Sequence, residues 1–233
     1  MSYTLPNLAA MLDFARSSFV VAEDFCGPVP IDTSSPFSLR AQGTGAGASS
    51  AVLIGDNSPG VIELTTGSTN TGSAELVSGY DAALSSTNAS MLRHAAGIKT
   101  VFEARIQVPT LSVNASEEFD VYVGGSLTVQ YAHFHYNVDL SANWIVSNDD
   151  AGGSPTTTTS GVAVVAGTWC RMRIVVDGVT SVSYFLDDVL IAKHTTNIPS
   201  AQGPLASIIK TVGTSARGLR VDYMAYAQYG LSR

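Results

Sequence analysis

Residues 161–196 read GVAVVAGTWCRMRIVVDGVTSVSYFLDDVLIAKHTT, and this stretch constrains the fold more than any other. Cys170, Met172, Ile174 and Val176 share one parity, and Trp169, Arg171 and Arg173 share the other. A period of two with one dry face is the signature of a half-buried strand. Asp177-Gly178 then supplies a turn, because glycine takes positive φ without steric cost. Val182, Tyr184 and Leu186 resume the alternation, and Asp187-Asp188 starts a second turn into 189–192. The pattern predicts an antiparallel meander.

Alternation elsewhere extends this to an all-β chain. Phe102, Ala104, Ile106 and Val108 oppose Val101, Glu103, Arg105 and Gln107; Phe119, Val121 and Val123 oppose Glu118, Asp120 and Tyr122. Phe134, Tyr136 and Val138 oppose Tyr131, His133 and His135. Strands are also predicted over 19–25, 51–54, 61–65 and 144–146, whereas 74–95 gives no clear period. Residues 147–160, SNDDAGGSPTTTTS, are expected to be irregular because of their proline and glycines, and 198–204 is expected to be a loop. In the last strand, Leu219, Val221, Tyr223, Ala225 and Ala227 are expected on one face. Leu5, Leu8, Leu12 and Ala15 recur at helical spacing behind Pro6. The expected organisation is therefore an N-terminal helical segment, 1–18, before one sandwich domain, 19–233. That helix either caps an open end of the sandwich or docks on a neighbouring subunit.

Composition narrows the partners. Only 13% of the residues are charged, against about 25% in an ordinary soluble domain. Such a surface loses little side-chain entropy when covered, which suits assembly. The net charge is −7 and no basic cluster is visible, so nucleic acid is not an expected partner. No run of about 18 apolar residues predicts a membrane span, and the N-terminus lacks the basic and apolar regions of a signal peptide. Cys26 and Cys170 have no metal-ligand spacing and fit either one disulfide or two buried thiols.

Several residues carry candidate chemistry. Glu118 and Asp120 share a strand face, and polysaccharide hydrolysis needs two carboxylates. The segment Glu118-Phe-Asp-Val-Tyr-Val resembles the E-x-D-x-x-E strand of jelly-roll glucanases, but Val123 occupies its last acidic position, which argues against hydrolysis. His133 and His135 point the same way, as a zinc pair would, with only His94 and His194 as further histidines. Asn148-Asp149-Asp150 and Asp56-Asn57 offer oxygens to calcium without EF-hand spacing. Trp144 and Tyr131 are the expected sugar-stacking aromatics, with Tyr122 and Trp169 beside them; Trp169 is expected to pack under a loop or the N-terminal helix. No catalytic residue, resident metal or cofactor is assigned, calcium excepted as a candidate.

Three pieces together carry a wider resemblance: Phe102-Glu-Ala-Arg105, Ala166-Gly-Thr-Trp169 running into Arg171-Met-Arg-Ile-Val-Val-Asp-Gly178, and Leu219-Arg-Val-Asp-Tyr223. They resemble concanavalin A-like (laminin-G-like) jelly rolls, two-sheet antiparallel sandwiches. With Glu23-Asp-Phe25, Pro59-Gly-Val-Ile-Glu-Leu64 and Thr66-Gly-Ser-Thr-Asn-Thr-Gly72 preceding them, the order is similar to lectin-fold structural proteins of tailed bacteriophages. That resemblance implies a non-enzymatic virion component made in the host cytoplasm, a capsid decoration, head fibre or appendage. Its partners would be copies of itself and other virion proteins such as the major capsid protein. The alternative is a carbohydrate-binding module for host-surface or environmental glycans.

Overall fold

The computed structural model describes residues 18–23, 37–42, 49–54, 60–68, 71–78, 92–112, 118–125 and 130–231. Two antiparallel sheets face each other across one apolar core. The first sheet contains β1 (Ser18–Glu23), β3 (Ser50–Ile54), β4 (Val61–Thr65), β7 (Lys99–Gln107), β12 (Trp169–Asp177), β13 (Ser181–Leu186), β14 (Val189–His194) and β17 (Gly218–Tyr229). Its order is β14-β13-β12-β7-β17-β4-β3, with β1 continuing the β4 side along the second half of β17. The second sheet contains β2 (Phe37–Gln42), β5 (Gly72–Ser78), β8 (Phe119–Gly125), β9 (Tyr131–Asn137), β10 (Ser141–Asp149), β11 (Thr156–Ala163) and β16 (Pro204–Lys210). Its order is β11-β10-β9-β8-β16-β5-β2. A two-stranded piece, β6 (Leu92–Arg93) with β15 (Ala201–Gln202), completes the jelly-roll sandwich.

The meander is the β12-β13-β14 half of the first sheet. Met172, Ile174, Val176, Val182 and Tyr184 are all buried. Asp187 and Asp188 close β13 to β14 with φ of 47° and 67°, the double positive φ of a two-residue hairpin. From the second sheet, Phe119, Val121, Val123, Phe134 and Tyr136 meet this layer, as their parity predicts.

Four expectations are corrected. Residues 147–160 are largely regular: β10 reaches Asp149 and β11 begins at Thr156. The threonines are β-branched, fit an edge strand, and pair across it, with Ser147 and Thr157 hydroxyls 3.0 Å apart. In β17 a bulge between Val221 and Tyr223 reverses the parity, so Met224 and Tyr226 are buried rather than Tyr223 and Ala225. The stretch 198–204, expected to be a loop, holds β15, and β5 and β16, without a clear period in the sequence, lie inside the second sheet. Ser18, expected to end the helical segment, opens β1; the rest of that segment, with Cys26 and Asp56-Asn57, lies outside the described residues.

Candidate functional site

The outward face of the second sheet concentrates the chemistry-bearing residues. The β8–β9 register sets Tyr122 opposite His135 and Gly124 opposite His133. Strand alternation then brings Glu118, Asp120, Tyr122, Tyr131, His133, His135 and Asn137 to one face. Asn137 Nδ2 donates to Glu118 Oε1 at 2.7 Å and to Asp120 Oδ1 at 2.9 Å. His135 Nε2 lies 2.7 Å from the same Asp120 oxygen, so this nitrogen carries the proton. Burial first, then the neighbouring Asp120 carboxylate, pushes the Tyr122 hydroxyl pKa well up and keeps it neutral.

The aromatic rings continue the ladder. Tyr131 stacks on His133 at 4.3 Å, and Tyr122 stacks on His135 at 4.4 Å. Tyr122 and His133 meet edge to face at 5.1 Å. The centre of the face is nearly dry, with Asp120 8% exposed, Asn137 5% and His133 4%, and Glu118, Tyr122, Tyr131 and His135 are half-buried around it. Buried polar groups are tolerated at such positions when they satisfy one another.

Val123 stands on the core side and is fully buried, because β8 runs through these residues without a bulge. The next position on the carboxylate face is Tyr122. Neither position after Asp120 that could complete a glucanase-like acid set is therefore acidic.

The structure separates the two expected sugar-stacking residues. Tyr131 is half-buried on the polar face, at the register position of Asp149. Trp144 is 3% exposed on the core side, its ring edge-on to Tyr136 at 6.0 Å, because it has the parity of Val146 rather than Ile145. It lines an end cavity of about 190 Å³ with Trp169, Cys170 and Val164, away from the ladder. Burial there pushes the Cys170 thiol up to about 12, which leaves it an inert apolar filler. Trp169 packs under a guanidinium, Arg105 Cζ lying 4.9 Å from its ring centre.

The metal candidates are engaged otherwise. Among the described residues no three metal-ligating side chains converge. Asp149 and Asp150 accept the backbone N–H groups of Ala151 and Gly152 at 3.1 and 2.9 Å. Asn148 is fully buried, and its Nδ2 donates to the carbonyls of Thr196 and Asn197 at 2.8 and 2.6 Å. Those acceptors orient the amide so that Oδ1 meets His194 Nδ1 at 2.5 Å. His194 Nε2 reaches Thr158 at 2.9 Å, and Tyr184 donates to Ser147 O at 2.8 Å. This clasp ties the β14 edge of one sheet to the β10–β11 edge of the other. Local sequence reading missed it, because its bonded members lie 36 to 49 residues apart. Asn137 was missed too, although it shares the parity of His133 and His135.

Two antiparallel sheets packed face to face define a jelly-roll β-sandwich, and solved structures share it. The chain belongs to the SO2946-like family: the model of the SO2946-like C-terminal domain matches residues 57–222. The solved structure of SO2946 from Shewanella oneidensis MR-1, a protein of unknown function, superposes with a TM-score of 0.62 at 14% identity, covering 100% of this chain and 99% of that one. A glycosyl hydrolase family protein from Mycobacterium fortuitum gives 0.60 at 15% identity, covering 88% and 98%. An endo-1,3-beta-glucanase from Streptomyces sioyaensis gives 0.59 at 12% identity, covering 99% and 100%. A botulinum neurotoxin type C structure, whose cell entry depends on two ganglioside molecules, gives 0.56 at 10% identity, covering 96% of this chain and 50% of that one. These identities carry the fold alone. No curated protein matches the chain.

Proposed function

We propose that this chain is a non-catalytic β-sandwich of a tailed-phage particle, a capsid decoration, head fibre or appendage that acts through protein contacts. The observation behind the non-catalytic half is the fate of the carboxylates. Glycoside hydrolysis needs an acid to protonate the leaving oxygen and a second carboxylate free to attack or to activate water. Here Asn137 bridges Glu118 and Asp120, and His135 also bonds Asp120. The pair is arranged as a satisfied structural network. The virion half is supported by the ordered similarity of strand and turn segments to phage lectin-fold proteins and by the low share of charged residues in the chain. Electron microscopy of intact particles tests it: density for this sandwich at a repeated surface or appendage position is expected, and its absence from particles, matched by mass spectrometry, overturns it.

One observation favours a second reading, glycan recognition. Tyr131 is half-buried at the margin of the polar ladder, held rigid by its stack on His133, and a fixed aromatic face is what a sugar ring packs on. The ganglioside dependence of the neurotoxin neighbour supports the same use of the fold. Binding on a glycan array that falls at least ~10-fold in Tyr131→Ala supports this reading; no binding across the array removes it.

A further inference from the structure

Both tryptophans of the chain converge on one place, the end cavity beside the start of β12. Trp144 reaches it from the second sheet, Trp169 and Leu186 from the first, and Val164 from the segment that leaves β11. At about 190 Å³ the space exceeds the ~150 Å³ of an apolar cavity that accepts a benzene ring. Indole, aliphatic and thiol groups make up most of its wall, so an apolar ring that enters sheds its hydration against apolar surface. The mouth is open to solvent: Val162 and Val165, which also line the cavity, are 38% and 57% exposed.

One charged residue lines the cavity, Asp187. The β13–β14 turn holds its backbone at φ 47°, and its Oδ1 accepts the Arg171 backbone N–H at 2.8 Å, which fixes the carboxylate in place. It makes no ion pair among the described residues. The neighbouring guanidiniums are engaged elsewhere, Arg105 on Asp222 and Arg171 and Arg173 on Asp188. The field of Asp187 reaches the cavity wall, where, after burial, it is the second cause that raises the Cys170 thiol. We propose that this end cavity is a small-molecule site for a single apolar ring bearing an ammonium group, the ring beside the two indoles and the cation at the Asp187 carboxylate. A neutral ring fits the walls and leaves the carboxylate unmatched; an anionic one is opposed by it.

The cavity lies away from the polar ladder, so its test is independent of both functional readings above. Benzylamine titrated into the full chain is the probe, with benzyl alcohol and phenylacetate as its neutral and anionic counterparts. Because the chain has only these two tryptophans, indole fluorescence and the two indole N–H resonances report on the cavity alone. Saturable benzylamine binding that moves both resonances is expected at a Kd of about 1 mM or tighter, with benzyl alcohol about 5-fold weaker and phenylacetate at least ~10-fold weaker. Asp187→Asn keeps the Oδ1 acceptor and a residue type that tolerates positive φ, so the turn survives. This variant should bring benzylamine down to the affinity of benzyl alcohol and leave the alcohol unchanged. Ala163→Phe, at an exposed lining position, should fill the mouth and abolish binding of all three probes. If circular dichroism shows that Ala163→Phe does not fold, the Asp187→Asn comparison decides alone. Benzylamine that fails to saturate up to about 10 mM, or that saturates without moving the indole signals, overturns the proposal. An affinity order indifferent to probe charge or to Asp187→Asn overturns it equally.

Discussion

The two sheets present opposite solutions to the outward face of a sandwich. On the first, arginines and carboxylates alternate in water. Arg105 bonds Asp222 at 2.6 Å with its side chain 44% exposed, Arg171 pairs with Asp188, Arg173 reaches Asp188 at 3.2 Å, and Arg220 bonds Glu63 at 2.9 Å. On the second, the polar groups are largely withdrawn from water and joined by Asn137 and His135. Exposed ion pairs contribute at most about 1 kcal/mol each, whereas removing a partner from a buried polar network strands a desolvated group. Similar residue types thus hold the fold weakly on one face and strongly on the other.

Four substitutions or conditions probe that contrast. The largest effect is expected at Gly124 in β8, beside the ladder, where φ is 143° and an added Cβ would lie 2.5 Å from Ala132 O and 2.6 Å from Ile174 Cδ1 in the core. Gly124→Ala should cost about 3 kcal/mol or more in denaturant unfolding, since backbone on one side and core on the other cannot both yield. Asn137→Ala should cost about 2–3 kcal/mol by leaving Glu118 and Asp120 without their shared donor. A cost below about 1 kcal/mol would show that water reaches the ladder freely.

A pH series addresses a third buried polar group, His94, at 4% exposure. Burial pushes its pKa down from 6.5 to about 4. Because the folded value is the lower one, the unfolded chain binds a proton that the folded chain refuses between these limits. This contribution is therefore complete above pH 6.5 and is lost as pH falls towards 4, about 2 kcal/mol between pH 7.5 and 5. His194, also lowered by burial, acts in the same direction. Unfolding of His94→Gln should have a shallower acid limb; an unchanged slope would contradict this. The smallest effect is expected for Arg105→Ala on the wet face, under about 1 kcal/mol and reduced further by salt. A loss as large as that of Asn137→Ala would erase the distinction between the faces.

Period-two alternation revealed the core side of β7, β8, β9, β12 and β13, because each strand buries one parity against the other sheet. It failed where that rule changes. β5 and β16 carry Ser73, Glu75, Leu205 and Ser207 on a face that is itself buried, so polar and apolar positions no longer alternate as in a half-wet strand. In β17 one extra residue inverted the pattern midway. The polar ladder was half legible: Tyr131, His133 and His135 shared a parity, and so did Glu118 and Asp120. Their pairing across strands depends on register, which no local pattern specifies. Trp144 was misassigned because a tryptophan's preference for a sugar-stacking margin and its preference for a core give the same residue in the same strand.

The central claim is that Glu118 and Asp120 are spent on structure. Reducing-end release from a panel of β-glucans incubated with purified protein tests it most directly. The account predicts no release above the buffer blank. Release by the wild-type chain that disappears in Glu118→Gln or Asp120→Asn, with the fold intact, would contradict it.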